Sequence, residues 1–379
     1  MVRCLKKEKS AIKMKNFLSH LALGLEPYVP GEQPKDKKYV KLNTNENPYP
    51  PSAKVISAIQ TAATDQLRLY PDPESTELRT TIAAYFNEFL KSDSAKLTAD
   101  NVFMGNGSDE VLAFAFPAFF TGKSIVFPNV TYSFYPVYAN LFKTEYREIP
   151  LLEDFSVQLE DYVDLASQKE FSADGILIPN PNAPTGKALS KAEVEKIVAS
   201  NPDRVVVVDE AYIDFGGESV MDLVPSYDNL LVVQTLSKSR SLAGLRVGFA
   251  VGSQVLIDGL NRVKNSFNSY TMDRLAMAGA KAAILDEDHF NDTRKRIITT
   301  RERVVAKLEA LGFAVVPSKA NFIFISHATK PAAAFFAGLR EQGVLVRYFN
   351  KPLIDNHLRV SIGTDEEMDV FLQSVEALL

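Results

Sequence analysis

Short aliphatic and β-branched runs recur along the chain, each ending on a polar residue that opens a loop or a helix. Val102 to Met104 leads into Gly105-Asn106-Gly107-Ser108-Asp109-Glu110, Ser124 to Phe127 into Pro128-Asn129, and Gly175 to Ile178 into Pro179-Asn180. Val205 to Val208 leads into Asp209-Glu210, and Leu230 to Thr235 into Ser237-Lys238. Runs without polar alternation predict strands buried on both faces, the habit of a mostly parallel sheet covered by helices on either side. Between them, Ser190-Lys191-Ala192-Glu193 carries the capping-box pattern and opens an amphipathic stretch to about Ala199. Glu77 to Phe89 and Met272 to Leu285 place apolar residues at helical spacing. Phe114, Phe116, Phe119 and Phe120, at near-helical spacing, read as core.

The pattern changes after about residue 270. A long charged helix, Asp288 to Leu311, precedes short strands at Ala314 to Val316, Asn321 to Ile325 and Leu358 to Ile362. This predicts an α/β large domain over 51–270 and a smaller α+β domain over 271–379. Residues 16–50, rich in proline and polar side chains, read as an arm packing on the small domain. In open α/β sheets, ligands lie beyond the C-terminal ends of the strands. The polar residues that close the runs all fall at that edge, so distant positions are expected to share one site.

The composition narrows the class without naming it. The 379 residues are 46% hydrophobic and 23% charged, with a formal net charge of -5. That is an ordinary globular balance, and it argues against a nucleic-acid or anionic-membrane partner. One cysteine, Cys4, forms no internal disulfide, which points to a reducing, cytoplasmic setting. No apolar stretch is long enough to span a bilayer. Residues 1–15 read as a flexible basic extension, with Met14 equally able to begin the chain. His20, His289, His327 and His357 share no ligand spacing, so no metal site is expected.

The strand ends supply what a pyridoxal phosphate site requires. Such a site needs a lysine amine for the aldehyde, a carboxylate for the ring nitrogen, donors for the phenolic oxygen, and helix amides with cations for the phosphate. Taken alone, Lys238 reads as a solvated surface charge, Asp209 as a turn cap and Asn182 as a shaper of its proline-rich loop. Gly105 to Glu110 alone is a common strand-to-helix turn, and Arg347 an ordinary surface cation. Together and in order they read differently: a buried carboxylate at Asp209 calls for a cationic partner.

The order Asn180-Pro181-Asn182-Ala183-Pro184-Thr185-Gly186, Asp209-Glu210-Ala211-Tyr212, Ser237-Lys238, Gly244-Leu245-Arg246-Val247-Gly248 resembles the fold-type I, class II aminotransferases. More closely, the chain resembles the histidinol-phosphate aminotransferases. Glu26 to Gly31, Asn43 to Pro48, Leu69 to Pro73, Gly105 to Glu110 and Leu358 to Thr364 carry that likeness, from about residue 16 to the C-terminus. The resemblance implies pyridoxal 5'-phosphate as coenzyme, a homodimer, and exchange of an amino group between L-histidinol phosphate and 2-oxoglutarate. It implies Lys238 as the lysine that bonds the aldehyde and moves the proton, Asp209 at the ring nitrogen, and Tyr132 stacked on the ring. Asn182 and Tyr212 would hold the phenolic oxygen. Ser108, Asp109, Ser237 and Arg246 would hold the phosphate with help from Thr235, and Tyr70 would reach in from the neighbouring subunit. Arg347 and Arg359 would bind the substrate anion, with Tyr28 and Asn45 lining the pocket from the arm; the bland alternative makes the last two mere anchors. An aromatic amino-acid aminotransferase and a threonine-phosphate decarboxylase share the fold and stay open. So does a non-catalytic sensor, against which the presence of Lys238 and Asp209 speaks; a nicotinamide-binding module lacks its glycine motif.

Overall fold

Valine-rich runs with no polar alternation have only one stable use, as central strands whose two faces are both covered. The computed structural model describes residues 17–90, 95–167 and 173–379. The extension expected at 1–15 lies outside the described residues. The strands are β1 (Val40–Lys41), β2 (Val102–Gly105), β3 (Ser124–Pro128), β4 (Glu145–Ile149), β5 (Gly175–Pro179), β6 (Val205–Asp209) and β7 (Leu230–Thr235). Then come β8 (Gly248–Gly252), β9 (Phe313–Val316), β10 (Phe322–His327), β11 (Val344–Leu345), β12 (Arg347–Tyr348) and β13 (Leu358–Ser361).

The large sheet has seven strands in the order β2-β8-β7-β6-β5-β3-β4. From β7 to β4 every pairing is parallel, whereas β8 runs antiparallel to both β7 and β2. Alternation along each strand sends one apolar run to two cores. Val206 and Val208 join a cluster with Leu78, Ile82 and Phe86 of the helix Thr76–Asn87 and Val194 and Ile197 of the helix Lys191–Ala199. Val207 joins the opposite cluster with Val111 and Leu112 of the helix Gly107–Ala115 and Leu256 and Leu260 of the helix Gln254–Phe267. This is the mixed sheet with flanking helices of the expected fold class.

Helix ends follow local chemistry. Ser190 and Glu193 form the capping box read from the sequence, with Ser190 N donating to the Glu193 carboxylate at 2.7 Å. The helix expected from Met272 instead begins at Arg274, because the Asp273 carboxylate accepts from the amides of Leu275 and Ala276 at 2.9 and 2.8 Å. Phe114, Phe116 and Phe120 are buried; Phe119 is only half-buried, where the chain widens into a π-helical turn at Phe116–Phe120.

A four-stranded antiparallel sheet, β12-β13-β10-β9, forms a second core with the helices Glu287–Ala310, Ala332–Glu341 and Asp365–Leu378. The arm joins it through backbone pairing: β1 lies parallel to β11, Val40 opposite Val344. Leu42 continues this, accepting at its carbonyl from Ser361 N at 2.9 Å and burying its side chain in the second core.

The strand ends that matter lie on one edge of the large sheet, where β2 finishes at Gly105, β6 at Asp209 and β7 at Thr235, and β8 begins. At that start, Gly248 pairs with both Gly105 and Thr235. A β-carbon on Gly248 would stand 2.2 Å from Ser108 N and 2.3 Å from the Gly107 carbonyl carbon. Both are backbone atoms and cannot swing aside. Gly248→Ala should therefore destabilise the protein by about 1–3 kcal/mol in urea unfolding, the usual range for overpacking. An unchanged midpoint would show that the helix start and the strand are not in this close register.

Candidate active site

The strand ends, the arm and the second sheet enclose a cleft of about 190 Å3, roughly ten times the space one water needs and so large enough for an organic ligand. Its wall brings together Ser108, Asp109, Tyr132, Asp209, Tyr212, Thr235, Ser237, Lys238 and Arg246 from the large sheet. Tyr28, Asn43 and Asn45 enter from the arm, and Arg347 and Arg359 from the second sheet.

Asp209 closes β6 as a buried carboxylate. Tyr135 donates its hydroxyl proton to Oδ2 at 2.8 Å, and the Ala211 amide donates to Oδ1 at 3.2 Å. Burial outweighs both bonds and pushes the carboxyl up to about 6 from its ordinary 3.8. Burial, and then the Asp209 charge, push the Tyr135 phenol well above its usual range, so it remains a donor. Because the Asp209 value is raised, the folded chain keeps this proton where the unfolded chain loses it. Stability from this group is greatest in acid and falls as pH rises from about 4 to about 6, by roughly 3 kcal/mol.

Lys238, three residues past the end of β7, is half-buried. Its Nζ lies 5.6 Å from the centre of the Tyr212 ring and makes no hydrogen bond or ion pair among the described residues. Asn45 Nδ2 donates to the Tyr212 hydroxyl oxygen at 3.0 Å, which leaves the tyrosine's own proton for another acceptor. Asn45 is fixed in turn: its amide donates to Ser361 Oγ at 2.8 Å, and its side-chain oxygen accepts from that hydroxyl at 2.9 Å.

The opposite end of the cleft is built for an anion. The helix Gly107–Ala115 opens at Gly107, where φ is +80° and a β-carbon would come within 2.4 Å of Arg246 Nη2. Glycine lets the guanidinium cross the first turn, where it donates to Asp109 Oδ2 at 3.2 Å and Ser237 Oγ at 3.3 Å. Thr235 Oγ1 donates to Ser237 Oγ at 3.0 Å, and Tyr132 donates to Asp109 Oδ1 at 2.7 Å. Helix-start amides, a serine hydroxyl and an arginine suit a phosphate dianion. The Asp109 carboxylate meanwhile orients Arg246 and Tyr132.

Arg359 Nη2 donates to the Asn43 carbonyl at 3.1 Å, while its Nε is buried without a hydrogen-bond partner. Arg347 Nη2 donates to the Val29 carbonyl at 3.1 Å. Neither guanidinium has a carboxylate partner among the described residues, and burial lowers the Arg359 value below its ordinary range. Tyr28 stacks on Phe134, ring centres 4.3 Å apart at 22°.

Two sequence-predicted residues are not on the wall. Asn182 is buried behind it, giving Nδ2 to the Val130 carbonyl at 2.8 Å and leaving Oδ1 unpartnered. Tyr70 is 77% exposed and stacks on Tyr270 away from the cleft. Conversely, Tyr135 lies outside every motif read from the sequence, and Asn43 and Gly248 lie inside motifs but had no role assigned to them. For Tyr135 the available signal was its place three residues after Tyr132, the reach of a single turn, which its amide closes onto the Tyr132 carbonyl at 3.1 Å.

These residues fit pyridoxal phosphate. Among the described residues the buried Asp209 carboxylate has no cation within ion-pair distance and the lysine amine has no hydrogen-bond partner, and the Gly107 turn is kept clear by glycine. Comparison with known proteins agrees. The family model for aminotransferase class I and II matches residues 37–375. The chain is 55% identical to a histidinol-phosphate aminotransferase of Clostridium acetobutylicum over 364 residues, 96% of this chain and 99% of that protein. A relative of the same name from Clostridium botulinum is 53% identical over 367 residues, 97% of this chain and 99% of that one. The solved structure of histidinol-phosphate aminotransferase from Sinorhizobium meliloti in complex with pyridoxal-5'-phosphate is similar in fold. It has a TM-score of 0.83 and 23% identity, covering 98% of this chain and 100% of that one.

Asp209→Asn separates burial from coenzyme pairing. In coenzyme-free protein at pH 8 the variant should unfold at higher urea than wild type, by about 1–3 kcal/mol, with the difference vanishing near pH 4. Its affinity for pyridoxal phosphate should fall at least about tenfold. A variant no more stable at pH 8, or one that binds coenzyme normally, would contradict the role drawn here.

Proposed function

The chain belongs to the class I and II aminotransferases, and from that premise we propose that it transfers the amino group of L-histidinol phosphate to 2-oxoglutarate, giving imidazole-acetol phosphate and L-glutamate. Its coenzyme is pyridoxal 5'-phosphate. The observation that carries the substrate is the 55% identity to a histidinol-phosphate aminotransferase along essentially the whole of both chains.

Pyridoxal phosphate supplies a carbonyl carbon that carries nitrogen between the two substrates and a ring that withdraws electrons from it. The chain's own residues do the rest. Lys238 Nζ takes the proton from the substrate carbon that bears nitrogen and returns it on the coenzyme side, a role that its lack of a fixed partner permits. Asp209, with Tyr135 and the Ala211 amide behind it, holds a proton on the ring nitrogen by charge. Tyr212 donates to the phenolic oxygen because Asn45 occupies its acceptor side. Asn182 stands behind the wall with Nδ2 on the Val130 carbonyl, so the hydrogen bond to that oxygen falls to Tyr212.

Ser108, Asp109 through its amide, Ser237 and Arg246 bind the coenzyme phosphate, helped by Thr235. Tyr132 packs over the ring with its hydroxyl tied to Asp109. Histidinol phosphate presents a phosphate and no carboxylate, whereas 2-oxoglutarate presents two carboxylates. Arg347 and Arg359, with no internal carboxylate to satisfy them, accept either anion. Tyr28 offers a flat apolar wall beside them.

No helix among the described residues is long and apolar enough to cross a membrane. The reading includes a cytoplasmic homodimer in which Tyr70 reaches the phosphate end of the partner's cleft. Its support is the exposed apolar strip of Leu67, Leu69 and Tyr70, which a second copy would cover.

Coenzyme-loaded protein should use L-histidinol phosphate with a kcat/KM at least about a hundredfold above that for phenylalanine. A preference for phenylalanine would move the assignment to aromatic amino acids. Lys238→Ala should lower kcat by roughly a thousandfold or more. Arg359→Lys should raise KM for both anionic substrates about tenfold or more while coenzyme affinity stays within about twofold. Equal losses of coenzyme and substrate would remove Arg359 from its place.

A further inference from the structure

Antiparallel pairing of β12 with β13 places Arg347 directly opposite Arg359. Like charges at a cross-strand pair repel, and proteins ordinarily avoid or neutralise them. Here no carboxylate among the described residues comes within ion-pair distance of either guanidinium. Each has one backbone carbonyl, from Val29 or Asn43, as its hydrogen-bond acceptor.

What the two cations share is a ring. The Arg347 guanidinium carbon lies 5.5 Å from the centre of Phe349, and that of Arg359 lies 5.6 Å from the same centre. Arg359 also lies 5.5 Å from Phe322. Phe349 follows Arg347 by two residues, the spacing that returns a side chain to the same side of an extended chain. It packs against the small cluster of Val130, Phe324 and Ile354, which fixes its position.

We propose that Phe349 is a specificity-determining residue: its π face holds the Arg347 and Arg359 guanidiniums side by side while supplying no counter-charge that a substrate anion would have to displace. A glutamate in the same place would bind both arginines and compete with phosphate or carboxylate. An aliphatic residue would leave the repulsion unopposed. The ring's quadrupole attracts cations yet forms no hydrogen bond with them, so their N–H groups remain available. The unpartnered Arg359 Nε is one such group. This inference rests on the reading of the two arginines as substrate ligands, and it extends that reading to the residue that holds them.

The test is the binding of glutarate, a dicarboxylate that cannot exchange an amino group, to the coenzyme-loaded protein by calorimetry. Phe349→Leu should raise the glutarate Kd about tenfold, Phe349→Ile should match it, and Phe349→Tyr should stay within about twofold of wild type. Coenzyme affinity should stay within about twofold of wild type in all three, and the unfolding midpoint should fall to a similar extent in the leucine and isoleucine variants as ring packing is lost. Histidinol, which lacks the phosphate, should react with the leucine variant as it does with wild type, while histidinol phosphate loses about tenfold in kcat/KM. Unchanged glutarate binding in the leucine and isoleucine variants would overturn the proposal. An equal loss for histidinol and histidinol phosphate would also overturn it, because the ring would then be shaping the pocket directly. Wild-type protein inactive on histidinol phosphate, but weakened toward glutarate by Phe349→Leu, would refute the substrate assignment and keep this role.

Discussion

A strand covered on both faces can place polar groups in quantity only at its ends, and the central strands β5, β6 and β7 are buried throughout except at Val205, where β6 begins. Parallel strands deliver those ends to a single edge. Asp209, Tyr212, Thr235, Ser237 and Lys238 are crowded there because the two cores leave them nowhere else. β8 reverses direction and brings Gly248 back to the same edge, where its missing side chain lets the first turn of the helix Gly107–Ala115 press against the sheet. The anion cradle is thus a product of sheet packing as much as of its own residues.

The cleft is organised around charges that the chain does not neutralise. Among the described residues, Asp209, Lys238, Arg347 and Arg359 each lack an opposite charge within ion-pair distance. Such groups are expensive to hold unless something polarisable or hydrogen-bonding stands beside them. Aromatic side chains fill that place each time: Tyr135 donates to Asp209, Tyr212 lies under the lysine, and Phe349 lies beside the arginines. A coenzyme and two anionic substrates supply the missing opposite charges. The fold leaves its electrostatics incomplete where the ligands are to go.

Much of this was legible in the sequence, for identifiable reasons. The continuous apolar runs announced β2, β3, β5, β6 and β7, and their polar terminators announced the edge. β8 went unread because Gly248-Phe249-Ala250-Val251-Gly252 is glycine-bounded at both ends, and nothing local encodes its reversed direction. β4 went unread because, as the edge strand, it is largely exposed and carries glutamate and arginine. The roles proposed for Lys238 and Arg359 rest on motif order, and the structure brings both to the cleft wall. Tyr135 acts by touching Asp209 across 74 residues, and Phe349 by lying beside two cations. Neither relation leaves a mark in local spacing. The place assigned to Tyr70 requires a second chain, which one chain's geometry does not contain.

The bond between Asn45 and Ser361 joins positions 316 residues apart. Until Ser361 has left the ribosome, the arm has neither that hydroxyl nor the β11 edge against which to lie. The large sheet, complete by Gly252, can collapse earlier on contacts of shorter range. Synthesis therefore produces a large sheet whose cradle exists before the arm can lie across it, and residues 40–45 are among the last to settle. Quality control by the cell meets a chain whose arm at residues 40–45 stays open to chaperone or protease until Ser361 has been made.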